Sequence, residues 1–168
     1  FLEIAKRMGA DIKILNKKNV NKEPTADIQV ISSILRSIEL NDRNLISSAI
    51  DEFPAIFILA AFAKGKSSFD GLSELRVKES DRIKSMAINL EELGIEVSEH
   101  ENGIAITGGV MKGGEIECFG DHRVAMSFAA AGNSSKAKIL IKDADSIITS
   151  FPEFVQKMRQ INSLIEIK

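Results

Sequence analysis

An α/β (α+β) fold of repeated units, with helices buried inside and sheets outside, is predicted by three observations. First, a helix stopped by Gly or Asn and followed at once by a strand occurs three times. The copies are Met8-Gly9-Ala10-Asp11-Ile12, Leu93-Gly94-Ile95-Glu96-Val97 and Ile161-Asn162-Ser163-Leu164-Ile165. Second, Asp51-x-x-x-Ala55 and Asp121-x-x-x-Ala125 stand 70 residues apart (121 − 51), each opening an apolar helix that runs into a turn and a strand. Third, Phe53, Ile56, Phe57, Ile58, Leu59 and Phe62 leave residues 51–63 apolar on every side, which is the pattern of a buried helix. Self-similarity of this kind marks a fold assembled from copies of one supersecondary unit, here with a shortened first copy.

The elements follow in order. Residues 1–8 read as a helix stopped at Gly9, 12–15 as a strand and 19–21 as a turn. Residues 26–33 and 35–40 are β-like, and 41–44 (Asn-Asp-Arg-Asn) a loop. In helix 51–63, Pro54 is tolerable only in the first turn, which places the start. Residues 66–70 fit a short strand. Ile83, Met86, Ala87, Leu90 and Leu93 recur at three- and four-residue steps, giving helix 81–93 with Ser80 or Asp81 as cap and Gly94 just past its end. Strands 95–98 and 104–107 form a hairpin, for which Asn102-Gly103 is a type I′ turn signal. The glycines at 108, 109, 113 and 114 match no phosphate fingerprint and read as a connector to strand 115–119. Helix 121–132 and strand 139–141 follow. Ser150-Phe151-Pro152-Glu153 reads as a capping box that starts a last helix to about 161, with Asn162 past its end and a strand at 164–167.

Composition narrows the function. The 168 residues suffice for one domain with a core, and the net charge of −2 implies no general attraction to nucleic acid or to an anionic membrane. Cys118 is the one cysteine, so it offers neither an internal disulfide nor metal spacing; it reads as a small buried apolar residue. No run of eighteen apolar residues and no signal peptide is seen, which makes a cytoplasmic protein the default expectation. The chain starts inside a helical pattern without an initiator Met, and is expected to be a fragment of something longer.

Two charged stretches carry the chemistry. Residues 75–83 pack Arg76, Lys78, Glu79, Asp81 and Arg82 around Ser80, and put Arg82 in the first turn of a helix. A cation there opposes the helix dipole by roughly 0.3–1 kcal/mol, so an anion is expected nearby. Gly120-Asp121-His122-Arg123 repeats the anomaly, with Asp121 as the cap. One reading makes the two helix starts two sides of one anion site. The other leaves each Arg solvated, or paired with its neighbours Glu79, Asp81 or Asp121. Asp51 opens its own helix and should lie near Asp121, at the same end of the domain.

At these stretches the chain resembles the enolpyruvylshikimate-phosphate (EPSP) synthase family. Arg-Val-Lys-Glu-Ser-Asp-Arg (76–82) and Asp-His-Arg-x-Ala-Met (121–126) match the family's two signatures in its C-terminal half. Asp51-Glu52-x-Pro54 and Thr149-Ser150-Phe151-Pro152 fit as well. The resemblance implies βαβαββ units and most of the C-terminal domain of a two-domain enzyme, with a truncated unit at 1–45 and further units at 46–114 and 115–168. It implies transfer of the enolpyruvyl group of phosphoenolpyruvate to the 5-hydroxyl of shikimate 3-phosphate, with no redox or organic cofactor and no metal. The implied partners are those two substrates and an N-terminal domain of the same chain, in a full-length protein that is a monomer.

By motif match, Asp51 contacts the shikimate hydroxyls and accepts the proton of the attacking one. Lys78 binds the shikimate side and donates to the reacting centre. Glu79 moves a proton on or off the phosphoenolpyruvate methylene. Arg82 and Arg123 hold the carboxylate and phosphate, with His122 beside them. These residue types suit the reaction, since planar bidentate arginines fit carboxylate and phosphate, and the methylene needs an acid. A carboxylate at a helix N-terminus has a lowered pKa, so Asp51 is expected to orient the hydroxyl more than to remove bulk protons. One departure stands out: many members carry a lysine two residues before the Phe-Pro pair, where this chain has Thr149. Two competing expectations are the related transferase acting on UDP-N-acetylglucosamine and a non-catalytic anion-binding module.

Overall fold

The computed structural model describes residues 1–135, 138–161 and 164–165. In chain order the elements are α1 (Leu2–Arg7), β1 (Asp11–Val20), β2 (Glu23–Ile31), β3 (Glu39–Leu40), α2 (Arg43–Ser48), a 3₁₀ turn (Ile50–Glu52), α3 (Phe53–Phe62), β4 (Lys66–Asp70), a second 3₁₀ turn (Ser73–Val77), α4 (Arg82–Glu92), β5 (Glu96–His100), β6 (Gly103–Thr107), β7 (Gly114–Glu117), α5 (His122–Ser134), β8 (Ile139–Lys142), α6 (Ser146–Ser150) and α7 (Phe154–Gln160).

The helix–glycine–strand repeat has one physical cause in both of its described copies. Gly9 and Gly94 have φ +93° and +80°, which glycine adopts at no steric cost. After α1, Gly9 N–H donates to Lys6 O and Ala10 N–H to Ala5 O; after α4, Gly94 N–H donates to Glu91 O and Ile95 N–H to Leu90 O. Each is a Schellman closure, which satisfies the last carbonyls and turns the chain back into a strand. The third predicted copy, with its Asn162 stop and strand 164–167, falls mostly outside the described residues.

The core is built on α3. Phe53, Ile56, Phe57, Ala60 and Ala61 have no exposed surface, and the Phe53, Phe57 and Phe69 rings meet at centroid distances of 5.5–6.0 Å. One four-stranded sheet covers it, in the order β3-β4-β6-β5, with β3 parallel to β4 and the other neighbours antiparallel. Gly108 is required where this sheet meets the end of α3: a Cβ there would lie 1.7 Å from Ala63 O. Helix α5 packs beside α3, and β7 and β8 form a parallel pair beyond it. Asn89 of α4 ties the two halves together. Its amide donates to Glu117 O at 2.7 Å and its Oδ1 accepts from Glu117 N–H at 3.1 Å.

Several expectations are corrected. The first hairpin is longer than predicted, and the positive-φ turn sits there, at Asn21-Lys22 (φ +50° and +68°) between the paired Val20 and Glu23. At the β5–β6 turn the central residues are Glu101 and Asn102, neither with positive φ, while Gly103 pairs with His100; the type I′ expectation fails there. Residues 35–40 give only the two-residue β3 and one bridge from Arg36 to Lys64. The expected loop at 41–44 opens α2, because Asp42 caps it through Asn44 N–H and Leu45 N–H. Strand β7 stops at Glu117, since Phe119 (φ +53°) and Gly120 (φ +70°) turn the chain, closed by Asp121 N–H to Cys118 O at 2.9 Å. The predicted capping box does not form: Ser150 ends α6, and Glu153 precedes α7 with no side-chain cap bond.

Candidate active site

Three helix starts converge on one buried cation. Arg82 opens α4 with a fully buried side chain. Its Nε donates to Asp121 Oδ2 at 2.8 Å, its Nη1 to Asp51 Oδ1 at 3.0 Å and its Nη2 to Glu79 Oε2 at 2.6 Å. One guanidinium thus joins the 3₁₀ turn before α3, the loop before α4 and the cap of α5. A planar fork with donors on three nitrogens suits this; an ammonium on a flexible stem does not. The anion expected from the sequence at Arg82 is therefore supplied by the chain's own carboxylates, of which Glu79 alone is a neighbour along the chain.

Asp121 serves two partners at once. Its Oδ1 accepts from Arg123 N–H at 2.9 Å and Val124 N–H at 3.4 Å, capping α5 as predicted. Its Oδ2 takes Arg82 and the Ser80 hydroxyl at 3.2 Å. Burial alone would push this carboxyl up, but Arg82, the Arg123 amide and Ser80 outweigh it and hold its pKa below the ordinary value. The same contest runs at Arg82, where burial is outweighed by Asp121, Glu79 and Asp51, so the guanidinium stays charged.

Asp51 lies just before α3 rather than opening it. It sits inside a single 3₁₀ turn, and its half-exposed carboxylate points to cations instead. Burial works against its ionisation, but the charges of Lys78 and Arg123 and the bond from Arg82 hold its pKa low. The lowered pKa is as expected for Asp51, with cations rather than a helix dipole as the cause. Arg123 reaches the same turn, donating from Nη1 to Asp51 O at 2.9 Å and to Glu52 Oε1 at 3.3 Å.

Lys78 and Glu79 do not pair with each other. Lys78 Nζ contacts Glu74 Oε1 at 2.5 Å and Asp51 Oδ1 at 3.5 Å, and mainly the Glu74 bond raises its pKa. Asp81, not Ser80, caps α4, accepting from Lys84 N–H at 3.0 Å. Five of the six predicted site residues (Asp51, Lys78, Glu79, Arg82 and Arg123) therefore share one network. His122 opens α5 beside it, and among the described residues its ring makes no hydrogen bond or ion pair. Thr149 lies in α6.

Sequence reasoning missed Asp121 as the buried counter-charge of Arg82, and missed Ser80, Glu52 and Glu74. A cap signal is local and marks Asp121, but nothing local ties it to a residue 39 positions away. Among the described residues no group of His, Cys, Asp and Glu is arranged to hold a metal ion, and no helix is long and apolar enough to cross a membrane. A groove of about 780 Å³ opens elsewhere, between α1 and the β1–β2 hairpin; Leu2, Ile14, Pro24 and Ile28 line it and no residue of the arginine network does. For anion chemistry the network outranks this groove, since it holds the converging charges.

The chain is similar to proteins of known family. The family model described as EPSP synthase (3-phosphoshikimate 1-carboxyvinyltransferase) matches residues 1–158. The 3-phosphoshikimate 1-carboxyvinyltransferase of Legionella pneumophila (strain Paris) is 44% identical over 166 residues, which is 99% of this chain and 38% of that protein. The protein of the same name from Coxiella burnetii (strain CbuK_Q154) is 41% identical over 160 residues, covering 95% of this chain and 36% of its own length. The chain thus spans well under half the length of these relatives. The solved EPSP synthase from Acinetobacter baumannii superposes with a TM-score of 0.92 at 39% identity, covering 99% of this chain and 39% of that one. The enolpyruvyl transferase NikO from Streptomyces tendae shares the fold, at a TM-score of 0.68 and 16% identity over 96% of this chain and 34% of its own. On the match over residues 1–158 and the identity to these relatives, the chain belongs to the EPSP synthase (3-phosphoshikimate 1-carboxyvinyltransferase) family.

Proposed function

We propose that this chain carries one half of an active site that transfers the enolpyruvyl group of phosphoenolpyruvate to the 5-hydroxyl of shikimate 3-phosphate, releasing phosphate. It acts in the cytoplasm, without a cofactor, together with an N-terminal domain of the same full-length monomeric protein. The observation that carries the reading is the convergence of Asp51, Lys78, Glu79, Arg82 and Arg123 on one network at the starts of three helices.

The chemistry assigns the roles. Phosphoenolpyruvate is a multiply charged anion, and Arg82 and Arg123 take its carboxylate and phosphate oxygens, with His122 beside them. To do so, Arg82 exchanges bonds to Glu79 and Asp51 for bonds to substrate, while Asp121 keeps its Nε. The released Glu79 carries a proton to the methylene and takes one back when phosphate leaves. Lys78 donates to the reacting centre from the shikimate side. Asp51, kept ionised by its cations, accepts the hydrogen bond of the attacking hydroxyl, orients it and takes its proton as the C–O bond forms; that proton leaves with the released phosphate. Residues 1–45, 46–114 and 115–168 are units of one domain, supported by the matching Schellman closures after α1 and α4.

The test is phosphate release from phosphoenolpyruvate by the full-length parent, with shikimate 3-phosphate or UDP-N-acetylglucosamine as acceptor. We expect release that requires shikimate 3-phosphate, and a folded 168-residue chain that gives none alone. Release with the sugar nucleotide only, or with neither acceptor, would overturn the reading.

A further inference from the structure

The geometry points to Arg76 as a positioning residue: it anchors the loop that presents Lys78 and Glu79. Residues 78–80 belong to no helix or strand, so side-chain ties decide where they sit. Lys78, Glu79 and Ser80 have their own ties, to Glu74 and Asp51, to Arg82 and to Asp121; the Arg76 guanidinium, three-quarters buried, adds those that close the two ends of the loop. Its Nε donates to Glu101 O at 2.9 Å and its Nη2 to His100 O at 2.6 Å, both on the β5–β6 turn. Its Nη1 donates to Asp81 Oδ2 at 2.9 Å, while Asp81 Oδ1 caps α4.

The Arg76–Asp81 pair therefore closes residues 76–81 into a ring, with Lys78, Glu79 and Ser80 at its apex. The two carbonyl bonds rivet that ring to the sheet. On one side Leu75 is fully buried, and on the other Arg82 is; Arg76 ties the segment between them. Every strong bond of its guanidinium goes to this anchoring, so it acts through Lys78 and Glu79 rather than on substrate. A lysine cannot replace it, since one ammonium does not present a planar fork to two carbonyls and a carboxylate.

For catalysis the inference rests on the proposed reaction, so the experiment has an arm that needs no substrate. In the full-length parent, Arg76→Ala is expected to speed cleavage within residues 77–81 by a lysine-specific protease by about tenfold or more while α3 and α5 stay uncut. Misplacement of groups by about an ångström costs about 10²-fold, so kcat falls on that scale while both KM values change little. Millimolar guanidinium, against equal sodium chloride, restores part of the turnover of Arg76→Ala, and Arg76→Lys recovers little. Unchanged cleavage at 77–81, or faster cleavage with undiminished kcat, overturns the inference; so does a rise in KM with kcat intact. If the wild-type parent shows no turnover, the functional reading falls, and the cleavage arm alone still decides whether Arg76 anchors the loop.

Discussion

Asp121→Asn isolates the buried charge pair from the helix cap. Asn caps helices about as well as Asp, so the bonds from Arg123 N–H and Val124 N–H survive. What is lost is the carboxylate facing Arg82 Nε, with both side chains fully buried. Removing one partner of a buried pair costs about 3–5 kcal/mol, because the other is left uncompensated. Arg82 keeps Asp51 and Glu79, whose side chains are about half exposed, so the low end applies, about 3 kcal/mol. For a chain of this length that lowers Tm by about 6–12 °C. Asp121→Ala loses the cap as well, for a total of about 4 kcal/mol. Urea unfolding at neutral pH measures both. A loss under about 1 kcal/mol for Asp121→Asn would refute the reasoning, since an exposed pair is worth that little.

Acid supplies the control on sign. The folded Asp121 carboxyl has a pKa below the ordinary aspartate value of 3.8, so its contribution is full above the unfolded pKa and fades as pH falls through the folded one. Wild-type stability should therefore drop from about pH 5 downward, and Asp121→Asn should show a shallower acid limb, the two curves converging. Parallel curves would mean that Asp121 is not the titrating group.

Two further outcomes follow from packing. Gly108→Ala places a methyl 1.7 Å from Ala63 O, which only a backbone shift can relieve; a loss of about 1–3 kcal/mol in the same urea assay is expected, and an unchanged midpoint would show that the sheet yields freely there. Cys118 is buried, and burial pushes its thiol up to about 11, while its Sγ donates to Lys142 O at 2.9 Å. Thiol reagents should label it in urea and scarcely at all in native buffer at neutral pH, and rapid native labelling would contradict the burial.

Elements with a local cause can be read along the chain. The glycine stops at 9 and 94, the apolar helix α3, the short strand β4, the Asp121 cap and the buried Cys118 were all legible, because caps, periodicity and composition act within a few residues. Where two local signals competed, pattern alone chose wrongly. Asp42 began a helix inside an expected loop, and Asn102-Gly103 lost its turn type because β-pairing assigned Gly103 to the strand. The residues of the site were legible as motifs, and their meeting was not. Packing in three dimensions shares Arg82 among Asp51, Glu79 and Asp121, turns Lys78 to Asp51 rather than Glu79, and sets Arg76 at the base of the loop between them. The physical reason is that a buried charge takes its partners from whatever elements packing brings within hydrogen-bond reach, and packing of α3, α4 and α5 joins positions that stand tens of residues apart along the chain.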